Sequence, residues 1–584
     1  MPNIWTVMDI SKWALHASTR HLDTVAHNVA NVNTPGYSRQ EVIQTTSWPE
    51  RTNEGWYGLG VKTVNVIQHV DKLILERITD KNSSQYYHDA RLSQLRRLET
   101  LSNEAKENGL GAEITAFFNA WQEVSNQPES SAVRNVLKET SNNLIGRFQT
   151  LMRDITHIKR DLTTYIEGAV TEANSICRRI ADLNDEITQS EHAGQPANDY
   201  RDERQRQIDA LSELININWF EDADGSVTVM GGAGKTLVQG TYPNPDNPDP
   251  LQFGQVSGYS EYQLTWSDMG LVMDSDELTG GTIGAWLKVR DVDIPDMENF
   301  LNDLAQNLIY EVNRVHSQGV GLVKFSDVTG TYESLDATTS FNDATNTLPY
   351  KDKLTAGSFD IWVYENGTRR SFTIAVDPSD SLTTLADKIN LAMGSGGVPN
   401  TDPLVNPVAT IVDGQHLRLQ SGGDIEFAFA NDTSNALAVL GINTFFEGYS
   451  ATNIALNQNI VSDVRNIAAG KLLSDGEHAL GDNQNALDLA DLKDADTMSS
   501  NSETFSESVI SWAADLGTDV ANSENNLLFV ETAAAELKDQ RDNVSGVNLD
   551  EEMVKMIQYQ RSYQMAAKMI SVADSLLATI LEIK

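Results

Sequence analysis

Three segments carry residue types that could do chemistry. Gly231-Gly232-Ala233-Gly234-Lys235-Thr236 holds the Gly-Lys-Thr end of a phosphate-binding loop, whose backbone N–H groups and lysine would cradle an anion. That loop needs a glycine five positions before Gly234, where Val229 stands, and it must open a helix, whereas the residues on both sides read as strands. A β-hairpin turn is expected instead. Asp222-Ala223-Asp224-Gly225 has some acids of a calcium loop but lacks its first aspartate, at Phe220, and its closing glutamate, so it too reads as a turn. His16, His21 and His27 share one helical pattern without the i,i+4 spacing that puts two metal ligands on one face. They are expected at the surface or at an interface.

The search for catalysis ends there. The chain has neither a His-Glu-x-x-His segment nor a Gly-x-Ser-x-Gly elbow, and with 83 acids no carboxylate couple can be singled out. Cys177, the single cysteine, can form no intramolecular disulfide and reads as a small buried hydrophobe. No catalytic, metal or cofactor residue is expected, and the chain is not read as an enzyme. What remains is the chemistry of association. Ile4, Met8, Ser11, Leu15, Ser18, Leu22, Val25 and Val29 follow one another at alternating steps of four and three, as do Met556, Tyr559, Tyr563, Ala566, Ile570, Ala573, Leu577 and Ile580. Each stripe is a narrow seam on one helix face, the pattern of a coiled coil, and the two are expected to pair.

The elements around these seams have readable ends. Pro35 cannot continue a helix and Gly36 tolerates positive φ, so the first helix should stop near Asn31. Asn548 is a plausible N-cap for the last helix, with Glu551 three residues on and acids through the first turn, where the helix dipole favours them. As a string, His27-Asn28-Val29-Ala30-Asn31-Val32-Asn33-Thr34-Pro35-Gly36-Tyr37 resembles the N-terminal signature of bacterial flagellar rod, hook and hook-associated proteins. Gly546-Val547-Asn548-Leu549-Asp550-Glu551-Glu552, followed by Tyr559-Gln560-Arg561-Ser562-Tyr563, resembles the C-terminal motif of the same axial family. His27 and Val29 stand where that family usually has Asn and Leu.

The interior resembles the hook-associated branch of the family. The segments concerned are Tyr200-Arg201-Asp202-Glu203-Arg204, Gly280-Gly281-Thr282-Ile283-Gly284, Glu311-Val312-Asn313-Arg314-Val315-His316 and Gly481-Asp482-Asn483-Gln484-Asn485. The resemblance implies a structural subunit joining hook to filament as a mechanical adaptor; a hook or filament subunit, or an adhesin acting through outer β domains, are the alternatives. It implies as partners other copies in a ring, the hook protein, a second junction protein and filament, and a cytoplasmic export chaperone at the C-terminal helix. It places the protein outside the cell, exported through the type III channel without a cleaved signal. By the same resemblance Asn28, Asn31, Asn33, Thr34, Pro35, Gly36 and Tyr37 shape the turn leaving the inner tube, and Leu549 opens the C-terminal assembly helix.

Composition agrees with association rather than nucleic-acid or membrane chemistry. The chain has 584 residues and a formal charge of −40, which disfavours anionic partners, and no unbroken run of about 18 apolar residues. Its length exceeds one core, and an α+β multidomain, elongated chain is expected, with paired terminal helices, a long helical bundle and β-rich outer inserts. Residues 1–70 and 541–584 form the terminal domain, 71–219, 283–335 and 455–540 the helical domain, 220–282 a small β-rich domain, and 340–450 a β-rich insert. The Pro-rich stretch 244–250 must be a loop. Ordering a residue costs about 1–2 kcal/mol and burying a large seam side chain returns about 1.5–3 kcal/mol. With the balance that close, both termini are expected to be mobile in the free monomer and helical on assembly.

Overall fold

Hydrophobic periodicity in the first half of the chain switches from helix to strand and back, and the elements follow it. The computed structural model describes residues 4–582 apart from 53–54, 103–108, 195, 233, 244–248, 268–269 and 274. Most of the Pro-rich stretch, Ala233 of the glycine-rich turn and the terminal Lys584 therefore lie outside the described residues. Two compact units emerge. The first comprises Met1–Gln94, Arg160–Val292 and Val520–Lys584, and the second Leu95–Lys159 and Asp293–Asp519.

In the first unit the N-terminal helix, Ile4–Ala30, is followed by a hairpin of Gln40–Thr46 against Val61–Gln68, with Glu50–Thr52 and Gly55–Tyr57 paired further out. The apolar stripe of the long helix Ser131–His192, 62 residues and roughly 93 Å, supplies Ile166, Ala173, Cys177 and Ile180 to the core. Ile208 and Leu211 from the helix Asn198–Leu214 meet them, with Val229, Leu237 and Trp266 from two small antiparallel sheets. Burial pushes the Cys177 thiol up to about 12, so it packs as an inert hydrophobe. The glycine-rich turn joins Val227–Gly231 to Lys235–Val238, which pair antiparallel, so no helix is there to face a phosphate. At Asp222 to Ser226, Asp224 Oδ1 accepts from the Ser226 N–H at 3.0 Å and closes a hairpin turn.

The second unit is built on aromatic packing. Phe117, Phe118 and Trp121 project at i, i+1 and i+4 from the buried face of the helix Leu110–Asn126, on which seven of eight residues are apolar, onto Phe445, Phe446 and Phe505. The amphipathic helix Ile294–His316 packs alongside. Beyond it, Gly357–Glu365 is the centre of a sheet between Thr368–Val376 and Glu426–Ala430, its inward residues Phe359, Ile361 and Val363 alternating as a half-buried strand requires. The helix Leu382–Ala392 opens with a capping box at Ser381 and Thr384.

Candidate assembly interface

The N-terminal helix lies along the C-terminal helix, Leu549–Glu582, over most of its length. On the C-terminal partner the seam register holds: Ala566 and Ala573 are buried and Met556, Tyr559, Ile570 and Leu577 half-buried, whereas Tyr563, Ile580 and Leu549 are exposed. On the N-terminal partner the buried face is rotated toward smaller and more polar residues. Ser11, Ser18 and Val25 are buried, joined by Ala17, His21, Thr24 and Asn28, while Ile4, Met8, Leu15, Leu22 and Val29 are only half-buried. The reason is the local chemistry: Ser11, Ser18 and Thr24 return their hydroxyls to the carbonyls four residues back, at 2.8, 2.8 and 3.0 Å, and so enter the seam with no unpaired group. His21 stacks on Tyr559 with centroids 4.1 Å apart, and burial lowers its pKa, against the opposing pull of Glu41. It is an interface histidine rather than a ligand.

At the lower end of this pair sits a buried polar lock. The Asn28 carboxamide donates to the Gln40 carbonyl at 2.9 Å and accepts from the Gln40 N–H at 3.0 Å, pairing with the first strand residue as a peptide would. It also donates to Glu552 Oε2 at 3.0 Å and accepts from the Tyr37 hydroxyl at 2.7 Å. Glu552 has 1 % of its side chain exposed, and its other oxygen takes Lys555 Nζ at 2.7 Å. The end of the first helix, the turn, the first strand and the C-terminal helix, the last 524 positions away, thus meet on one amide. Neither Asn28 nor Glu552 stood out as a seam residue in the sequence, yet the register points to the second: one further step of four back from Met556 lands on Glu552. A lone polar pair in a coiled-coil seam fixes its register.

The turn between helix and strand is held from both sides. Asn31 donates its side chain to His27 O at 3.1 Å and accepts from the Thr34 hydroxyl at 3.1 Å, and the Tyr37 N–H returns to Thr34 O at 3.2 Å. Asn33, Thr34 and Pro35 are exposed. Gly36 has φ +76°, and a Cβ there would lie 2.8 Å from Arg206 Cγ, whose guanidinium reaches Pro35 O at 3.3 Å. Left-handed backbone costs a non-glycine residue roughly 1–2 kcal/mol. Gly36→Ala should therefore lose about 2 kcal/mol in urea unfolding, while Gly58→Ala, with open space around it, should leave the midpoint unchanged. Equal midpoints for the two would show that the turn is not constrained. At the far end, Asn548 caps the last helix, its Oδ1 accepting from the N–H groups of Asp550 at 3.0 Å and Glu551 at 3.3 Å. Glu551 faces Arg39 at 3.6 Å.

The interior motifs tie these elements down. Asp202 accepts the Ser38 N–H at 2.9 Å, and burial raises its carboxyl to about 6. Arg201 pairs with Glu191 at 2.8 Å and with Glu221, and the buried Arg204 donates to Asn184 at 2.9 Å and to Gly225 O at 2.8 Å. In the second unit, the Asn313 carboxamide bonds the Phe445 and Phe446 N–H groups, both at 2.9 Å, and Phe446 O at 3.0 Å. His316 donates from Nδ1 to Asn443 O at 2.8 Å and accepts at Nε2 from Ala468 N–H at 2.9 Å, and burial holds its pKa down at about 4. Asn483 and Asn485 donate to Ser125 O at 2.7 Å and Ala468 O at 2.8 Å. Each motif is a packing joint.

Because the folded pKa of Asp202 lies above its ordinary value, its carboxyl stabilises the fold fully below about pH 4, and that contribution is lost as pH rises through about 6. Asp202→Asn keeps the oxygen that Ser38 needs and removes the buried charge. The variant should be more stable at pH 7 by about 2 kcal/mol, with a flatter dependence between pH 4 and 6; urea melts across that range read it. An unchanged slope would mean that Asp202 is solvated.

A second apolar stripe faces outward. Val554, Ile557, Met565, Met569, Val572, Leu576 and Ile580 follow one another along the C-terminal helix, all exposed. The helical tract Phe505–Leu581 even contains an 18-residue window of mean hydropathy 1.2, long and apolar enough by length and composition to cross a membrane, although no uninterrupted apolar run exists. Among the described residues no group of three or more His, Cys, Asp or Glu side chains could hold a metal ion.

Known proteins resemble this chain. The family described as Flagellar hook-associated protein FlgK helical domain matches residues 95–330, Flagella basal body rod protein matches 8–37, and Flagellar basal body rod FlgEFG protein C-terminal matches 539–583. Flagellar hook-associated protein 1 of Salmonella typhimurium is 22 % identical over 98 % of both chains, and that of Bacillus subtilis 24 % identical over 100 % of this chain and 98 % of its own. The solved structure of the flagellar hook junction protein FlgK from Burkholderia pseudomallei covers 80 % of this chain and all of its own, with a TM-score of 0.52 and 14 % identity, and so shares the fold. Along its whole length, then, the chain is similar to flagellar hook-associated protein 1, and its two ends match the flagellar basal body rod families.

Proposed function

We propose that this chain is a structural subunit of the bacterial flagellum that forms the junction between hook and filament and acts there as a mechanical adaptor. The observation that carries this reading is the pairing of the two chain ends through the Asn28–Glu552 lock, which leaves an apolar stripe facing outward. An exposed stripe of that length on an ordered helix calls for a protein partner. A bilayer is the poorer occupant, because Arg561 and Lys568 interrupt the stripe and the helix is already paired on its other face. The partners are other copies of the chain in a ring, the hook protein below, and the second junction protein and filament above; before export, a cytoplasmic chaperone covers the C-terminal helix. The protein works outside the cell without catalysis, and the four-part domain division expected from the sequence is retained. The seam residues from Ile4 to Val29 and from Met556 to Ile580 serve first the pairing within one chain and then the packing of copies.

Immunogold labelling of intact flagella tests the location. One cluster of label between hook and filament is expected, and label along the whole filament would replace this reading with that of a filament subunit. Amide exchange tests the assembly step. Both terminal helices should exchange faster in dilute monomer, where only their mutual pairing holds them, than in isolated junctions, and full protection in the monomer would remove the ordering step.

A further inference from the structure

In a chain with 83 acids and 43 bases, two cations without an acidic partner beside an exposed tryptophan stand out. Trp13, His16 and Arg20 occupy one outward face of the N-terminal helix at i, i+3 and i+7, and Trp13 is 45 % exposed. With Lys62 and Val64 of the strand Val61–Gln68 and Pro196 of the turn before the helix Asn198–Leu214, they line a cleft of about 420 Å³. Among the described residues no carboxylate lies within 4 Å of Arg20 or Lys62. A cleft that sets Trp13 and Val64 beside the polar Thr63 and Asn65 and carries two cations fits a helix face that presents an aromatic ring next to acids.

The same chain displays such a face. On the helix Phe505–Ser545, Leu528 and Phe529 are 64 % and 71 % exposed, and Glu536, two turns on from Phe529, and Asp539, three turns on from Leu528, lie exposed on the same face. From Glu524 to Asp539 that helix carries four acids and one base. The outward stripe of the C-terminal helix fits less well, because Arg561 and Lys568 flank it. We infer that the cleft of one subunit receives the Leu528 and Phe529 face of a neighbouring copy, with Arg20 and Lys62 meeting Glu536 and Asp539 and Phe529 packing on Trp13. The inference rests on the junction reading, since it needs copies side by side.

Disulfide trapping in the assembled flagellum tests it. Trp13→Cys and Phe529→Cys are introduced together into the full chain, whose native Cys177 is buried and does not compete. Hooks with attached junctions are isolated, oxidised with copper phenanthroline and run on a non-reducing gel. A ladder of dimers and higher oligomers is expected for the double variant and none for either single variant. Attached filaments without a ladder would overturn the inference. In parallel, Arg20→Glu with Lys62→Glu should lower the number of filaments per cell at least tenfold, and Glu536→Lys with Asp539→Lys in the same chain should restore it. Full filament number in the first variant, or no restoration in the second, would overturn it. If wild-type chain is absent from isolated hooks, the junction reading itself fails, and the inference with it.

Discussion

Asn28→Leu should unfold the terminal helix pair, at a cost of about 4 kcal/mol. The substitution leaves Glu552 buried with only Lys555 as partner, and it strips the Gln40 N–H, the Gln40 carbonyl and the Tyr37 hydroxyl of their bonds to the carboxamide. Removing one partner of a buried charged pair costs about 3–5 kcal/mol, because the remaining charge stays desolvated. Asn28→Leu combined with Glu552→Leu should recover most of that loss, since two apolar groups leave no buried charge behind. Urea unfolding followed by exchange of the N-terminal helix amides reads both variants. A loss below about 1 kcal/mol in the single variant would mean that water reaches the lock. The double variant should still pair its helices, but with a register no longer unique, and so assemble poorly.

Gly281→Ala should have the largest effect of any single methyl in the first unit. Gly281 has φ +70°, and a Cβ would lie 2.4 Å from both Leu214 C and Ile215 N and 2.5 Å from Leu214 O. All three are backbone atoms at the end of the helix Asn198–Leu214, so nothing there can rotate aside. The loss should exceed about 4 kcal/mol, enough to leave the unit without fixed tertiary structure. Near-ultraviolet circular dichroism would show the aromatic signal collapse. Gly254→Ala, on a strand with open space around it, is the control and should be nearly silent. If Gly281→Ala retained the wild-type spectrum and midpoint, the close approach of Gly281 to the helix end would not exist in solution.

Elements were legible where one periodicity ran without interruption. The long helix announces itself in Leu144, Phe148, Leu151 and Ile155, and the insert strands in the alternation of Phe359, Ile361 and Val363. The ends were legible as well: Pro35 and Gly36 stop a helix for local steric reasons, and the helix does end at Ala30. The polar lock was harder to see. Asn28 and Glu552 are 524 positions apart, and each alone looks like a solvated residue on a helix; only pairing turns them inward. The rotation of the N-terminal seam has a similar origin. Leu15 and Leu22 define the strongest apolar stripe in the sequence, but Ser11, Ser18 and Thr24 can satisfy their hydroxyls within their own helix, and so the smaller face packs closer. The interior motifs were visible as strings. What Arg204, Asn313 and Asn485 do, joining loops through buried carbonyls, needs the fold to be present before it has any meaning.

The central claim is that this chain links hook to filament. Electron microscopy of a strain lacking its gene, with immunoblotting of the medium for flagellin, tests that claim most directly. The account predicts hooks of normal length that end bare, with unpolymerised flagellin shed into the medium. Normal filaments on that strain, or the absence of hooks altogether, would contradict it.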